Sequence, residues 1–268
     1  MMFGRKVTLQ IGQPDTVGRS FTDLRIAFRV DMTRDATPNS ASILAYNLSP
    51  ESIALIQRPG SVVRLLAGYD VPRLVFVGDP IRDGVRLEKR GPDRILSIEA
   101  QDGGNRYRAT RVHVSFATDT TVDQVFEHVA EQMGLPTGYV RIDRLKRFPS
   151  GVVLSGDARD VLDRIATMSG ADWTITDGTL NVIPKGEASG EPAVKFSTEQ
   201  GNLIGSPSKM GNGGVEIVGL LEPALRPGRS FVVKSSILTG AYVATEVSFV
   251  GDSGFDNPYY TIATGVPR

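Results

Sequence analysis

The sequence contains no cysteine. Disulfide staples, thiolate metal sites and cysteine nucleophiles are therefore excluded, and packing alone must hold the fold. Histidine is nearly absent as well, with His113 and His128 the only two. Aromatic residues make up 7% of the chain, Trp173 is the single tryptophan, and basic and aromatic residues are not interleaved. That composition does not support a stacking platform for single-stranded nucleic acid. Charge of one sign is also lacking: thirty basic side chains face thirty acidic ones, so no strongly basic face is signalled. No apolar run approaches the roughly 18 residues of a membrane helix. The opening MMFGRKVTLQIG has no apolar signal-peptide core. The expectation is a protein made in a cytoplasm, with no membrane partner.

What is plentiful is glycine (29) and proline (16), against a hydrophobic content of 40% in 268 residues. The composition is that of a globular chain with many turns, hence many short strands. The length suits two domains or three small ones. In DLRIAFRVDM, apolar Leu24, Ile26, Phe28, Val30 and Met32 alternate with their neighbours, which is the period of a half-buried strand. ASILAYNL reads as a second strand. A short helix follows in SPESIALIQ, with Ser49 as cap, Pro50 in the first turn and Pro59-Gly60 as stop. VVRLLAG, RLVFVGD, VRLEK and RILSIEAQ read as further strands, separated by GYD, DPIRDG and KRGPD turns. The period then changes. In DTTVDQVFEHVAEQMGL, Val122, Val125, Phe126, Val129 and Met133 fall at helical spacing, with Thr121 and Gln124 as a capping box. GVVLSG is a strand, DARDVLDRIATMSG a second helix, and DWTITDGTLNVIP a hairpin turning at Asp177-Gly178. After the polar linker KGEASGEP the pattern is strands again: PAVKFS, GVEIVGLL, RSFVVKSS, AYVATEVSFVGD and YYTIATG.

The expected fold class is mainly β with a small α/β insertion. Residues 1–104 form a first β-barrel-like domain, 105–185 a mixed α/β middle domain, and 186–268 a second β-barrel-like domain. The two β domains share a sequence order. RPG at 58–60 precedes FVGD at 76–79 by 18 residues, and RPG at 226–228 precedes FVGD at 249–252 by 23. Each interval reads as strand, Gly-bearing turn, strand, which points to one β unit used twice. Three such chains would place six similar units around one axis and so join a sixfold object to a threefold one.

YNLSPESIALIQRPGSVVRLLAGYD followed by LVFVGDPI resembles the first domain of bacteriophage tail baseplate hub proteins. The match lies at residues 46–49 and 67–69. VEIVGLLEPALRPGRSFVVKSSILTGAYVATEVSFVGD resembles the second barrel of the same hubs through Pro223, Leu225, Pro227, Gly228, Gly240 and Tyr242. Where family members often carry a histidine before the final Gly-Asp, this chain has Phe249 and Val250. The resemblance spans nearly the whole chain and extends to the hub part of type VI secretion spike proteins. It implies a homotrimer forming a ring at the distal end of a tail in the virion, assembled in the host cytoplasm. Its implied partners are the tail tube or a distal tube adaptor above and a separate spike or tail-tip protein below. A tape-measure protein and other baseplate proteins are further candidates. The genome would pass through the lumen without specific binding.

No catalytic, cofactor-binding or metal-ligating residue is assigned, and no cofactor is expected. His113 lies in a strand and His128 on a helix without HExxH spacing, and ordinary surface roles account for both. No GxSxG elbow, P-loop, dinucleotide fingerprint or EF-hand loop occurs. GNGG at 211–214 lies in a turn between strands. Glu127 with Glu131, Asp157 with Asp160, and Asp160 with Asp163 share helix faces, where carboxylates solvate the surface. Glycoside cleavage needs two carboxyls on opposite sides of a bond, roughly 5–9 Å apart. The alternatives to a hub are a tail-associated cell-wall hydrolase and a carbohydrate- or receptor-binding β module, for which Trp173 in a hairpin strand is poor support.

Overall fold

A computed structural model describes residues 4–13, 18–35, 37–103, 110–142, 146–211, 213–254 and 258–268. The first stretch runs β1 (Arg5–Gly12), β2 (Arg19–Phe21), β3 (Ile26–Thr33), β4 (Ser40–Tyr46), α1 (Pro50–Ile56), β5 (Val62–Tyr69), β6 (Arg73–Arg90) and β7 (Asp93–Gln101). The middle runs β8 (Arg111–Phe116), β9 (Thr120–Thr121), α2 (Val122–Gln132), β10 (Thr137–Val140), β11 (Arg147–Phe148), β12 (Val152–Asp157), α3 (Ala158–Ser169), β13 (Ala171–Thr176) and β14 (Thr179–Pro184). The last runs β15 (Val194–Ser197), β16 (Leu203–Lys209), β17 (Val215–Leu220), β18 (Ser230–Lys234), β19 (Thr239–Asp252) and β20 (Tyr259–Pro267). The expected boundary at 104/105 lies outside the described residues.

The chain is mainly β. Strand alternation in β3 buries Ile26, Phe28, Val30 and Met32 on one face. Ser49 caps α1 by accepting from the Ser52 N–H at 3.3 Å, and Pro50 occupies the first turn. In α2 the Gln124 side chain accepts from the Thr121 backbone N–H at 3.1 Å and the Thr121 side chain faces the Gln124 N–H, the expected capping box. Gly170 ends α3 in the left-handed conformation, φ 66°. Asp177 and Gly178 both have positive φ, 54° and 75°, as the two-residue β13–β14 turn requires. One expected break is absent. DPIRDG does not separate two strands but lies inside β6. The β6–β7 register shifts between Pro80 and Val85, so a bulge with Asp83 at φ 59° absorbs the turn-like residues.

The two β stretches pair in one 13-stranded sheet, and no ladder closes a barrel among the described residues. They share one apolar core, from Val7 to Ala263, whereas residues between Val112 and Val182 build a second core of their own.

Within the large sheet one strand order occurs twice. The first stretch pairs as β3-β4-β7-β6-β5-β1 and the last as β16-β17-β20-β19-β18-β15. Position by position, β3 matches β16, β4 matches β17, β7 matches β20, β6 matches β19, β5 matches β18 and β1 matches β15. The connection carrying RPG precedes β5 in one unit and β18 in the other, and Gly60 and Gly228 share a left-handed conformation, φ 78° and 83°. The outermost pair differs: β1 meets β5 antiparallel, whereas β15 meets β18 parallel.

The repeated FVGD, however, is out of register. Phe76–Gly78 fold back on β5, where Gly78 faces Val63 and Phe76 faces Leu65. The β18–β19 ladder stops at Val243, and Phe249–Gly251 lie beyond it, between β20 and β3. The fold repeats, and the tetrapeptide marks different points within it.

Candidate assembly interface

The joint between the two β units is a seam of strands β3 and β19. Seven antiparallel pairs run from Thr33 opposite Glu246 to Ala27 opposite Asp252. Phe249 faces Val30 there, and both are fully buried. Polar groups fasten the seam within the ladder and at its Asp252 end. Ser248 Oγ donates to Asp31 Oδ1 at 2.5 Å. Ser253 Oγ accepts from the Ile26 N–H at 3.0 Å and donates to the Leu24 carbonyl at 3.2 Å. Arg25 and Asp252 meet at 2.8 Å. Burial works against ionisation of the Asp252 carboxyl, but the Arg25 guanidinium and the Gly254 N–H outweigh it and hold the group below its usual range. Tyr259 of β20 extends the joint: its hydroxyl accepts from the Gly68 N–H at 2.8 Å, and the Lys6 carbonyl lies 2.8 Å away. Burial pushes its phenol upward.

A second joint docks the α/β middle unit on both β units. Asn39 Nδ2 donates to the Ile175 carbonyl at 2.9 Å, and Arg34 pairs with Asp172 at 3.0 Å. Arg226 reaches three parts of the chain. Its Nε donates to Asp177 Oδ2 at 3.0 Å and its Nη2 to the Leu74 carbonyl at 2.8 Å, and its guanidinium lies 5.5 Å from the Phe249 ring centre. Asp102, 1% exposed, accepts from the Gly178 N–H at 2.9 Å through Oδ1, and its Oδ2 is buried without a hydrogen bond. Burial first, and the neighbouring Asp177 second, push the Asp102 carboxyl up to about 7.

The residues weighed for chemistry are scattered. His113 Nδ1 lies 2.8 Å from Ser155 Oγ across the β8–β12 pair. His128 Nε2 lies 3.0 Å from Gln132 Nε2, with its ring edge-on to Phe116. Glu127 and Glu131 lie on the exposed face of α2. Asp157 pairs with Arg111 and Asp163 with Arg159, and Asp163 also accepts from Trp173 Nε1 at 2.8 Å. Gly211, Gly213 and Gly214 occupy the β16–β17 connection, and Asn212 lies outside the described residues. Among the described residues no three His, Asp or Glu side chains come together as a metal site, and no helix is long and apolar enough to cross a membrane. Sequence reasoning gave the Asp102 and Arg226 side chains no role. The only signal was the RPG that contains Arg226, read for its turn and not for its arginine.

No protein-family model and no curated protein matches the sequence. Solved structures do match its fold. The 43 kDa tail protein of prophage MuSo2 from Shewanella oneidensis superimposes with a TM-score of 0.68 at 11% identity, over 98% of each chain. A tail protein from Neisseria meningitidis MC58 does so with a TM-score of 0.66 at 13% identity, over 98% of this chain and 96% of that one. An Escherichia coli component of the type VI secretion system, described as similar to the T4 bacteriophage tail proteins gp27 and gp5, gives a TM-score of 0.62 at 12% identity. It covers 97% of this chain and 76% of its own. The resemblance read from YNLS, AGY and the second RPG is therefore matched at the level of fold: this chain has the fold of phage tail and type VI secretion proteins.

Proposed function

We propose that the chain is a structural component of a phage tail: a homotrimeric hub ring at its distal end, without enzymatic activity. Each chain would contribute two β units of the same strand order, so that three chains offer six similar contacts to the tail tube or a distal tube adaptor. The threefold symmetry of the chains would serve the spike or tip. The middle α/β unit, with its own core, would decorate the ring and contact neighbouring baseplate proteins. The lumen would pass the genome, and a tape-measure protein, without specific binding. The observation that carries this reading is the duplicated strand order, because a symmetry adaptor needs two near-equivalent modules per chain. Fold neighbours named as tail and type VI secretion proteins support it. The test is native mass measurement of the purified protein at high concentration together with negative-stain electron microscopy. Trimers seen as threefold rings with a central hole are expected, and a strictly monomeric chain overturns the reading.

A further inference from the structure

The duplicated unit is joined to its copy on one side only, and the free side identifies what is missing. At the intrachain seam the long strand of the second unit, β19, presents its edge to the first strand of the first unit, β3. The matching elements are β6, the long strand of the first unit, and β16, the first strand of the second. Among the described residues, the far half of β6 pairs only with β7, because its ladder with β5 ends at Gly78. Among the described residues β16, too, pairs only with β17 and stands at the end of the sheet order. Each chain thus has one sealed seam and the two unsealed halves of another. A row of unpaired N–H and C=O groups is a template for a further strand.

Register makes the correspondence specific. The inward pairs Ala41–Ala100 of β4–β7 and Val215–Gly265 of β17–β20 occupy the same place at the start of their ladders. Counting onward, Ile98 matches Ala263 and Leu96 matches Thr261. Their partners are Val85 and Leu87 on β6, and Val247 and Phe249 on β19. Phe249 is 0% exposed because β3 covers it, whereas Leu87 is 52% exposed amid Arg86, Glu88, Lys89 and Arg90. On the other side Val30 pairs with Ala41 and Lys209 with Val215, so Lys209 of β16 stands where Val30 stands in β3. Met210, 40% exposed, follows it. Leu87 is thus a bare apolar side chain on one unsealed edge, whereas β16 ends at Lys209 and Met210 begins its turn, donating to the Gly214 carbonyl at 2.9 Å.

We infer that β6 of one chain pairs antiparallel with β16 of a second copy, Leu87 opposite Lys209, in continuation of the β19–β3 seam. The inference rests on the trimeric reading above and names its contact. The contact is head-to-tail, so three chains close when three interchain seams alternate with three intrachain ones. Burying Leu87 removes apolar surface from water, and the edge amides gain partners.

The absence of native cysteine allows bridges to be placed without background. Residues directly opposite in an antiparallel ladder have Cα atoms about 4.5–5.5 Å apart, within disulfide reach. Leu87→Cys and Lys209→Cys are made singly and together, with folding checked by circular dichroism, and oxidised at high concentration. The double variant is expected to give a covalent trimer on denaturing gels. An equimolar mixture of the single variants is expected to give dimers and nothing larger, because each chain then carries one half of a bridge. Leu87→Cys with Ser206→Cys, three residues from Lys209 and inside the irregular stretch of β16, is expected to give none. Trimers by light scattering that lack the 87–209 bridge overturn the seam and leave the trimeric reading standing. Bridging through Ser206 instead overturns the register, and monomers without any bridge overturn both readings.

Discussion

The two β units of this chain share a strand order and differ in what lies against them. The long strand β19 is sandwiched between β20 and β3, whereas the far half of β6 pairs, among the described residues, with β7 alone. The same register position is therefore a core phenylalanine in one unit and a half-exposed leucine in the other. The difference shows that burial here is set by neighbours rather than by the unit itself. Deleting the two side chains should separate the cases most sharply. Phe249→Ala is expected to cost about 3–5 kcal/mol, the usual range for a large core truncation. Leu87→Ala should stay within about 0.5 kcal/mol in the isolated chain, as surface changes do. Urea unfolding of both variants in dilute solution measures the contrast. Equal losses would mean that the two positions are not register equivalents.

The ends of the units differ next. β7 runs into Asp102, which is buried against the β13–β14 turn, whereas β20 runs out at exposed Pro267. The Asp102 carboxyl sits at about 7 in the folded chain, against 3.8 for the free group. The folded state therefore holds a proton that the unfolded chain has released between those values. This contribution to stability is complete below about pH 4 and is lost as pH rises through 7, up to about 4 kcal/mol in all. Asp102→Asn keeps an acceptor for Gly178 and removes the charge. Its stability should exceed that of the parent at pH 8, and the gap should shrink towards pH 5. A gap that does not change with pH across urea titrations would contradict the assignment.

The shared RPG sharpens the comparison further. Arg58 is exposed, whereas Arg226 holds Asp177, the Leu74 carbonyl and the face of Phe249. Arg226→Ala leaves a partly buried carboxylate and a carbonyl without their donor, at a cost of about 3 kcal/mol. Arg58→Ala should be close to neutral. Thermal unfolding of the pair is the check, and a large loss at Arg58 would show that the motif acts alike in both places.

These contrasts follow the line between what the sequence revealed and what it did not. Local features were legible. Period two gave β3, helical spacing gave α2 and α3, and Asp177-Gly178 gave the hairpin, because each depends on residues a few positions apart. The duplication was legible too, but through the wrong mark. RPG keeps its place before β5 and β18, whereas FVGD begins three residues after the start of β6 and ten after the start of β19. Hydrophobic alternation fixes which face of a strand is buried and leaves its edge partner open, so the β3–β19 seam between residues over 200 apart left no local trace. The docking role of Asp102 and Arg226 was hidden for the same reason: their partners lie on other parts of the chain.

The smallest difference tests whether the units need identical connections. Between β4 and β5 the chain inserts α1, whereas residues 221–229 cross the same gap between β17 and β18 without a helix. Both routes bury apolar residues in the shared core, Leu48, Ile53 and Ile56 in the first and Leu221 and Leu225 in the second. The helix is thus one of two ways to cover the same end of a unit, and its own capping should matter only locally. Ser49→Ala removes the side-chain acceptor from the Ser52 N–H, which costs about 1 kcal/mol for a typical N-cap. Amide hydrogen exchange should then rise in residues 50–57 and stay unchanged in β18 and β19. Faster exchange spreading into the β19–β3 seam would show that the helix supports the joint between the units, and that the two connections are not interchangeable coverings.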